Sequence, residues 1–249
     1  MTLAHVGQSA TGAPSMTWVR KWYMDPQNDG TAVDIKGGGT YTDDSGITWQ
    51  TSDGTVSGDA NASAIDIVAN TGLRITTSAA GNIFLARAID DLIGGDFALT
   101  DRLLFVMHTA SVALPENDCR HGHMFRTADD NWRHRIVNEL DAGTQKTFGQ
   151  RLNNGTGVDT NLRNAESVVT AIEMWGYTAL FWYGDAYPTS DPLTDDLTNF
   201  RQSSFNLPPS SGSPTTPATD EWALLVRRNG STDFTLDVLH AAIYRLEAV

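Results

Sequence analysis

The sequence contains a single cysteine, Cys119, so the chain cannot form an internal disulfide bond. Its apolar runs all fall short of the roughly 20 residues that a membrane-spanning helix needs, which argues against insertion into a bilayer. The first 15 residues, MTLAHVGQSATGAPS, have neither a basic start nor an apolar stretch, so we expect no signal peptide. The redox compartment does not follow from one cysteine.

Basic residues are few, and lysine is scarce. The chain has 17 basic and 30 acidic residues, which gives a formal net charge of -13. Binding to nucleic acid or to an anionic membrane surface requires a cationic face, so this balance argues against both. This charge fits either a soluble protein that must avoid self-association or one that lives in salty water.

Long windows of helical periodicity are also lacking. Gly, Ser, Thr, Asn and Asp are abundant, and hydrophobic residues make up 40% of the chain, which is enough for a real core. Short apolar pieces alternate with turn-forming clusters, as in all-β proteins. A chain of 249 residues fits one large β-sandwich or barrel.

Several segments have the pattern of strands. Alternation and flanking turns predict strands at 16–24, 65–70 and 72–78, a hairpin between 121–126 and 132–139, and a strand at 146–152. The apolar run 97–109 is long for one strand, so we expect it to bend. The segment 166–185 has helical spacing at its start but is rich in β-branched and aromatic residues, so two strands are preferred. Asn229-Gly230-Ser231 predicts the turn of a final hairpin.

Two segments are not typical of a compact sandwich. Residues 1–15 form an N-terminal arm, and residues 188–219 form a long loop that holds six of the nine prolines; residues 16–249 constitute the single predicted domain. Each segment either packs against a neighbouring molecule or remains on the surface of its own domain. Burial against neighbours would require a substantial interface to offset the lost chain entropy.

The stretch CRHGHMF, residues 119–125, carries the most distinctive spacing. In a strand, Cys119, His121 and His123 share one face, and the return strand brings His134 close. Imidazole and thiolate are zinc ligands, so these residues, with His108 as a further option, are candidate metal ligands. The preferred alternative is a polar sheet face that carries imidazoles between aromatic residues and binds no metal.

TDDSGITW, residues 42–49, has the shape of the Asp-box motif S/T-x-D-x-G-x-T-W. In this interpretation Asp44 bonds backbone groups of its own turn, Gly46 takes a positive φ angle, and Trp49 packs below the hairpin. Such boxes recur in several blades of sialidase-type propellers, and one copy argues against a propeller here.

Catalytic motifs are missing, whereas aromatic residues are dense between 175 and 187. The chain has no G-x-S-x-G elbow, no P-loop and no carboxylate triplet of the E-x-D-x-E kind; Glu139 and Asp141 form an isolated pair. Most aromatic residues of this block belong to the core in our interpretation. Tyr183 and Tyr187 are expected to face solvent, and together with the neighbouring Asp185 they are the candidate glycan-binding residues.

Three segments together resemble the concanavalin A-like lectin/glucanase superfamily. GHMFRTADDNWRHRI (122–136) is similar to a recurrent hairpin of that superfamily, GGDFALTDRLLF (94–105) to the preceding strand, and LDVLHAAIYRL (236–246) to the closing strand. The resemblance covers roughly residues 70–249 and implies a two-sheet antiparallel jelly roll. The carboxylate signature of the enzymes is missing, and no metal-binding acid of the lectins can be matched.

Sandwiches without catalytic residues resemble those of bacteriophage virion proteins. The resemblance therefore implies a non-enzymatic structural or attachment protein of a viral particle, such as a head decoration, tail or fibre component. The expected partners are further copies of the chain, other virion proteins and surface glycans; no cofactor is expected. The alternatives are a carbohydrate-binding lectin-like module and, less favoured, a glycoside hydrolase.

Overall fold

The computed structural model describes residues 15–98, 100–126, 132–153, 156–175, 178–185, 201–205 and 220–248. These residues form 18 strands, one short α-helix and two 3-10 turns. Among them, no helix is both long enough and apolar enough to cross a membrane.

The strands occupy most of the described chain. In chain order they are β1 (Met16–Met24), β2 (Val33–Asp34), β3 (Tyr41–Thr42), β4 (Thr48–Trp49), β5 (Val56–Ser57), β6 (Ala62–Val68), β7 (Gly72–Thr77), β8 (Gly81–Ala88), β9 (Arg102–Thr109), β10 (Arg120–Arg126), β11 (Trp132–Asp141), β12 (Thr144–Asn153), β13 (Thr156–Arg163), β14 (Val169–Trp175), β15 (Thr178–Gly184), β16 (Arg201–Phe205), β17 (Glu221–Arg228) and β18 (Thr235–Ala248). Helix α1 spans Ile89–Ile93, and the 3-10 turns span Pro26–Asn28 and Asp59–Asn61.

Two large antiparallel sheets face each other. Sheet I has the order β16-β15-β14-β9-β18-β7-β6-β2, and β1 pairs with β18 as its ninth strand. Sheet II has the order β13-β12-β11-β10-β17-β8-β5, and β3 pairs with β4 in a separate hairpin. This architecture confirms the predicted all-β sandwich.

The core lies between the sheets because side chains alternate along each strand. Leu103, Phe105 and Met107 of β9 point inward, whereas the intervening Leu104 and Val106 belong to a cluster on the outer side of sheet I. From sheet II, Phe125 and Leu224 enter the same core. Apolar residues on both sides of the strands explain why the sequence shows runs rather than strict alternation.

Most strand predictions are confirmed. The predicted strands at 16–24, 65–70 and 72–78 correspond to β1, β6 and β7, and the ambiguous segment 166–185 forms the antiparallel pair β14–β15. The hairpin of β10 and β11 is present, with His123 opposite Ile136. Its predicted turn lies outside the described residues.

Two predictions, one about a hairpin and one about a long strand, are wrong. The turn at Asn229-Gly230-Ser231 exists, and Gly230 has φ +94°, but β17 lies in sheet II and β18 in sheet I. The connection therefore crosses between the sheets, because each strand finds its partners elsewhere. The run 97–109 is not one bent strand, since β9 begins only at Arg102.

The arm and the long loop are described only in part. Residues 201–205 of the predicted loop form β16, which pairs with β15 and extends sheet I. Sequence analysis missed this strand. The remainder of 188–219 and residues 1–14 of the arm lie outside the described residues.

A β-bulge in β1 decides which of its side chains face outward. The pairing with β18 shifts between Arg20 and Trp22, so Lys21 is the extra residue. As a result Trp22 points into the core and is fully buried, whereas Trp18 and Tyr23 pack on the outer cluster of sheet I.

Candidate functional site

The histidines of CRHGHMF lie on the inner side of sheet II, not on a polar face. His121 and His123 are completely buried, so the preferred interpretation of a polar sheet face is wrong. His121 Nε2 lies 3.5 Å from Glu166 Oε1. His123 Nδ1 accepts a hydrogen bond of 3.1 Å from Trp222 Nε1, and burial lowers the pKa of His123 to about 3, so its imidazole is neutral.

The predicted metal ligands occupy separate environments. His134 is buried two register positions from His123, next to Phe125, and His108 lies in sheet I. The Cys119 thiol donates to Asn229 O at 3.3 Å. Among the residues described here, no group of three or more His, Cys, Asp or Glu side chains is arranged to hold a metal ion.

The predicted glycan-binding residues do not form one surface. Tyr183 is only 7% exposed, and its hydroxyl donates to Leu162 O at 2.9 Å. The expectation that Tyr183 faces solvent is therefore wrong, because the alternation of β15 places it inward with Phe181. Asp185 is exposed and forms an ion pair with Arg163, and Tyr187 lies outside the described residues.

The Asp-box turn is present with a different carboxylate at its centre. Asp43, not Asp44, accepts hydrogen bonds from the backbone of Ser45 and Ile47, at 3.0 and 2.9 Å. Gly46 has φ +83° and Trp49 is buried, as predicted. The motif is a folding device in this chain.

The outer face of sheet II carries the most unusual polar arrangement. This face comprises the outward side chains of β8, β17, β10, β11 and β12. One row across these strands holds Arg227, Arg120, Glu139 and Lys146, which are consecutive partners in the register. Arg120 and Glu139 form an ion pair of 3.3 Å.

The floor of this face is apolar and has a gap at its centre. Met124, Val137 and Leu225 form a buried cluster, flanked by half-buried Phe84 and Phe148. Gly122 occupies a further position on this floor. Its hypothetical Cβ would lie 2.1 Å from the carbonyl oxygen of residue 136, so β11 approaches too closely for any side chain. The floor is therefore lower there than on either side.

Three polar side chains of this face are more than 90% buried. Arg120, Glu139 and Gln150 are 8%, 8% and 4% exposed. Within the part of the chain that the structure describes, Arg120 Nε and Gln150 Oε1 have no hydrogen-bond partner. Buried polar atoms are almost always bonded, and an unbonded one costs about 1–3 kcal/mol, so these atoms call for a functional explanation.

Cations are concentrated on this face of an otherwise acidic chain. Arg227 is half-buried and makes no ion pair within the described residues, whereas Arg126 pairs with Glu221. Burial raises the pKa of Glu139, the charge of Arg120 lowers it in part, and Asp118 adds to the increase. The face can therefore present guanidinium and amide groups to the hydroxyl and carboxylate groups of a ligand.

The sequence did not single out these residues, because the imidazoles of β10 form a more distinctive pattern. Arg120 and Arg126 alternate with His121 and His123, and β11 continues the pattern with Arg135. Arginines separated by an even number of residues lie on the same face of a strand, opposite the buried residues between them. This spacing is the sequence signal that could have predicted the face. Gln150 has no such signal, because a lone glutamine in a strand predicts nothing.

The comparisons with known proteins give no family. No family model matches the chain. No curated protein matches it either.

Several solved structures match the chain with low sequence identity and low TM-scores. The CBM2 module of the evolved Dit of Lactobacillus casei BL23 phage J-1 is 11% identical with a TM-score of 0.46, over 94% of this chain and 99% of that one. The xyloglucan-locus GH43B of Bacteroides ovatus is 9% identical with a TM-score of 0.46, and the match covers 96% of this chain but 42% of that one. A family 7 alginate lyase is 8% identical with a TM-score of 0.43, over 90% and 95%. These structures are similar to this chain only as β-sandwiches.

Proposed function

We propose that the protein is a non-enzymatic attachment module that binds an acidic glycan on the outer face of sheet II. The observation that carries the proposal is that two buried polar atoms, Arg120 Nε and Gln150 Oε1, have no hydrogen-bond partner among the described residues. A donor and an acceptor held without partners on a sheet face suit a ligand rich in hydroxyl groups, which can accept from the first and donate to the second.

The charges of the face indicate the kind of glycan. Arg227 and Arg120 are neighbours in one row, and only Arg120 has an acidic partner there. Guanidinium groups bind carboxylates and sulfates through two parallel hydrogen bonds. A uronate or sialate therefore fits this face better than a neutral sugar, and Phe84 and Phe148 supply apolar surface for its ring.

The same contacts argue against hydrolysis. A glycosidase needs two carboxyl groups that flank the scissile bond. On this face, Glu139 is paired with Arg120, Glu221 with Arg126, and Asp141 with Lys146. We therefore propose recognition without bond cleavage.

A bacteriophage particle is the setting that we propose for this module. The sequence resemblance to non-catalytic virion sandwiches and the acidic, lysine-poor composition support it. We further propose that copies of the chain associate with one another. Multi-angle light scattering of the purified protein tests the association, and a monomer at all concentrations would reject it.

Binding to a glycan array that holds uronate-containing, sialylated and neutral oligosaccharides tests the proposed recognition. We expect acidic glycans to bind, with an affinity that falls as salt increases. Arg227→Met should weaken binding at least tenfold, because it removes the unpaired guanidinium. Arg74→Met, which removes a cation of sheet I paired with Asp237, is the matched control.

Two results would reject the proposal. One is the absence of acidic ligands from the array, and the other is equal affinity of the Arg227→Met variant and the parent. Product analysis by mass spectrometry after long incubation tests the enzymatic alternative, since a shortened oligosaccharide would show cleavage.

A further inference from the structure

The opposite side of the sandwich carries an aromatic strip that the acidic-glycan site does not use. It consists of Trp18, Arg102 and Trp175 on the outer face of sheet I. The register places Trp18 beside Leu246 on β18 and Arg102 beside Trp175 on β14, so the three side chains lie in one row across the sheet.

The guanidinium group of Arg102 lies between the two indoles. Its central carbon is 4.9 Å from the ring centroid of Trp175 and 5.9 Å from that of Trp18. The two ring centres are therefore no farther apart than the sum of these distances, a span comparable to two linked sugar rings. Cation–π contacts of this kind hold both rings in fixed positions.

A buried carboxylate fixes the arginine and cancels its charge. Arg102 Nε donates to Glu173 Oε1 at 2.6 Å, and a second guanidinium nitrogen pairs with the same oxygen. Glu173 is fully buried and also accepts from Trp182 Nε1 at 3.2 Å. The remaining guanidinium nitrogen, Nη1, has no partner within the described residues, and the side chain is one-third exposed.

The indole of Trp175 is unusually accessible. At 37% exposure it is one of only three large hydrophobic side chains that are exposed in the described part of the chain. Rigid, exposed indoles stack on the apolar faces of pyranose rings, and an adjacent fixed donor can bond a ring hydroxyl. Because Glu173 neutralises Arg102, the strip offers no net charge for an anion.

We propose that the strip of Trp18, Arg102 and Trp175 is a second glycan site, which takes neutral pyranose rings. Trp175 is the stacking platform, Arg102 Nη1 is the hydroxyl donor, and Trp18 extends the platform to the next ring. The site is independent of the acidic-glycan site, since it lies on the other sheet and shares no residue with it.

Intrinsic tryptophan fluorescence during titration with neutral trisaccharides tests this site. The probes are cellotriose, maltotriose, xylotriose, mannotriose and galactotriose. We expect at least one to change the emission with a dissociation constant in the millimolar range or below. Trp175→Ala should weaken that binding at least tenfold, and Trp175→Phe should retain part of it.

The controls separate this site from the first. Arg227→Met should leave neutral-sugar binding unchanged, and Trp175→Ala should leave acidic-glycan binding unchanged. Far-ultraviolet circular dichroism and thermal melting check that Trp175→Ala is folded, which we expect because the residue lies at a strand end. The proposal is overturned if no trisaccharide binds, or if folded Trp175→Ala binds as the parent does.

Discussion

Trp22 Nε1 donates a hydrogen bond of 2.7 Å to Asp43 Oδ2, and the same oxygen accepts a second bond from Trp49 Nε1 at 2.9 Å. Trp22 also packs against Trp222, with ring centroids 5.2 Å apart and ring planes tilted by 51°. Through this carboxylate, the short β3–β4 hairpin is tied to β1 and to the core. One acidic side chain therefore joins two segments that are about 20 residues apart in sequence.

Replacing the shared carboxylate should destabilise the protein. Asp43→Asn would place an amide N–H group against N–H donors, so we expect the free energy of unfolding to fall by about 2–4 kcal/mol. Asp44→Asn is the matched control, because among the described residues Asp44 accepts one hydrogen bond, from the exposed backbone N–H of Asp25. Urea unfolding at pH 7 measures both, and a larger loss for Asp44→Asn would contradict the assignment.

For the motif TDDSGITW, the sequence predicted part of the local structure. The turn, the positive φ of Gly46 and the burial of Trp49 followed from the pattern. The pattern did not show which of Asp43 and Asp44 lies at the centre of the turn, because this depends on the position of Trp22, which β1 supplies. The position of the Trp22 side chain depends on the bulge at Lys21, and no local sequence pattern predicts that bulge.

The same limit applies to the candidate sites. The sequence predicted the β10–β11 hairpin but not which side of it faces the core. The imidazoles of His121 and His123 looked polar, yet buried partners such as Trp222 accommodate them inside. Consequently the candidate site contains Arg120, which lies on the opposite side of β10 from the two histidines. Because neighbouring residues of a strand point to opposite faces, an error of one residue in the assignment exchanges the buried and the exposed side.

Gly122 should not tolerate a side chain. Its Cβ would overlap the carbonyl oxygen of Ile136 at 2.1 Å, so Gly122→Ala must push β10 and β11 apart. We expect a loss of at least about 2 kcal/mol in the free energy of unfolding. Gly95→Ala is the control, since nothing lies within 4 Å of its Cβ. Thermal melts of both variants test this, and equal melting temperatures would refute the close approach of β11.

Arg120 and Glu139 should be energetically coupled. Removing either partner leaves a buried charge without compensation, so Arg120→Met and Glu139→Gln should each cost about 2–4 kcal/mol of unfolding free energy. The double variant should cost clearly less than the sum of the two. A double-mutant cycle in urea measures this coupling, and additivity to within about 0.5 kcal/mol would argue against a working ion pair.

The buried His123 and the half-buried His108 should make the fold sensitive to mild acid. Burial lowers the pKa of His108 to about 4; the nearby His240 adds to the effect, and Asp25 partly opposes it. Burial likewise lowers the pKa of His123 to about 3, partly offset by the backbone of Thr170. In the unfolded chain both groups titrate near their ordinary pKa of about 6.5.

The direction of the pH effect follows from these values. Below about pH 6.5 the unfolded chain takes up protons that the folded protein does not, so the free energy of unfolding falls by up to about 1.4 kcal/mol per pH unit for each histidine. The loss continues until the pH reaches the folded pKa values of about 4 for His108 and about 3 for His123. Above pH 6.5 these histidines should add no slope.

Urea unfolding between pH 7.5 and pH 4.5 checks the contribution of His123. The carboxylates titrate in the parent and in His123→Gln alike, so the difference between the two curves isolates the imidazole. Glutamine can still offer an acceptor to Trp222, and its amide does not titrate. We therefore expect the variant to lose stability less steeply below pH 6.5, whatever its stability at pH 7. Parallel curves would mean that His123 takes up its proton as readily in the folded protein as in the unfolded chain, and would contradict its placement in the core.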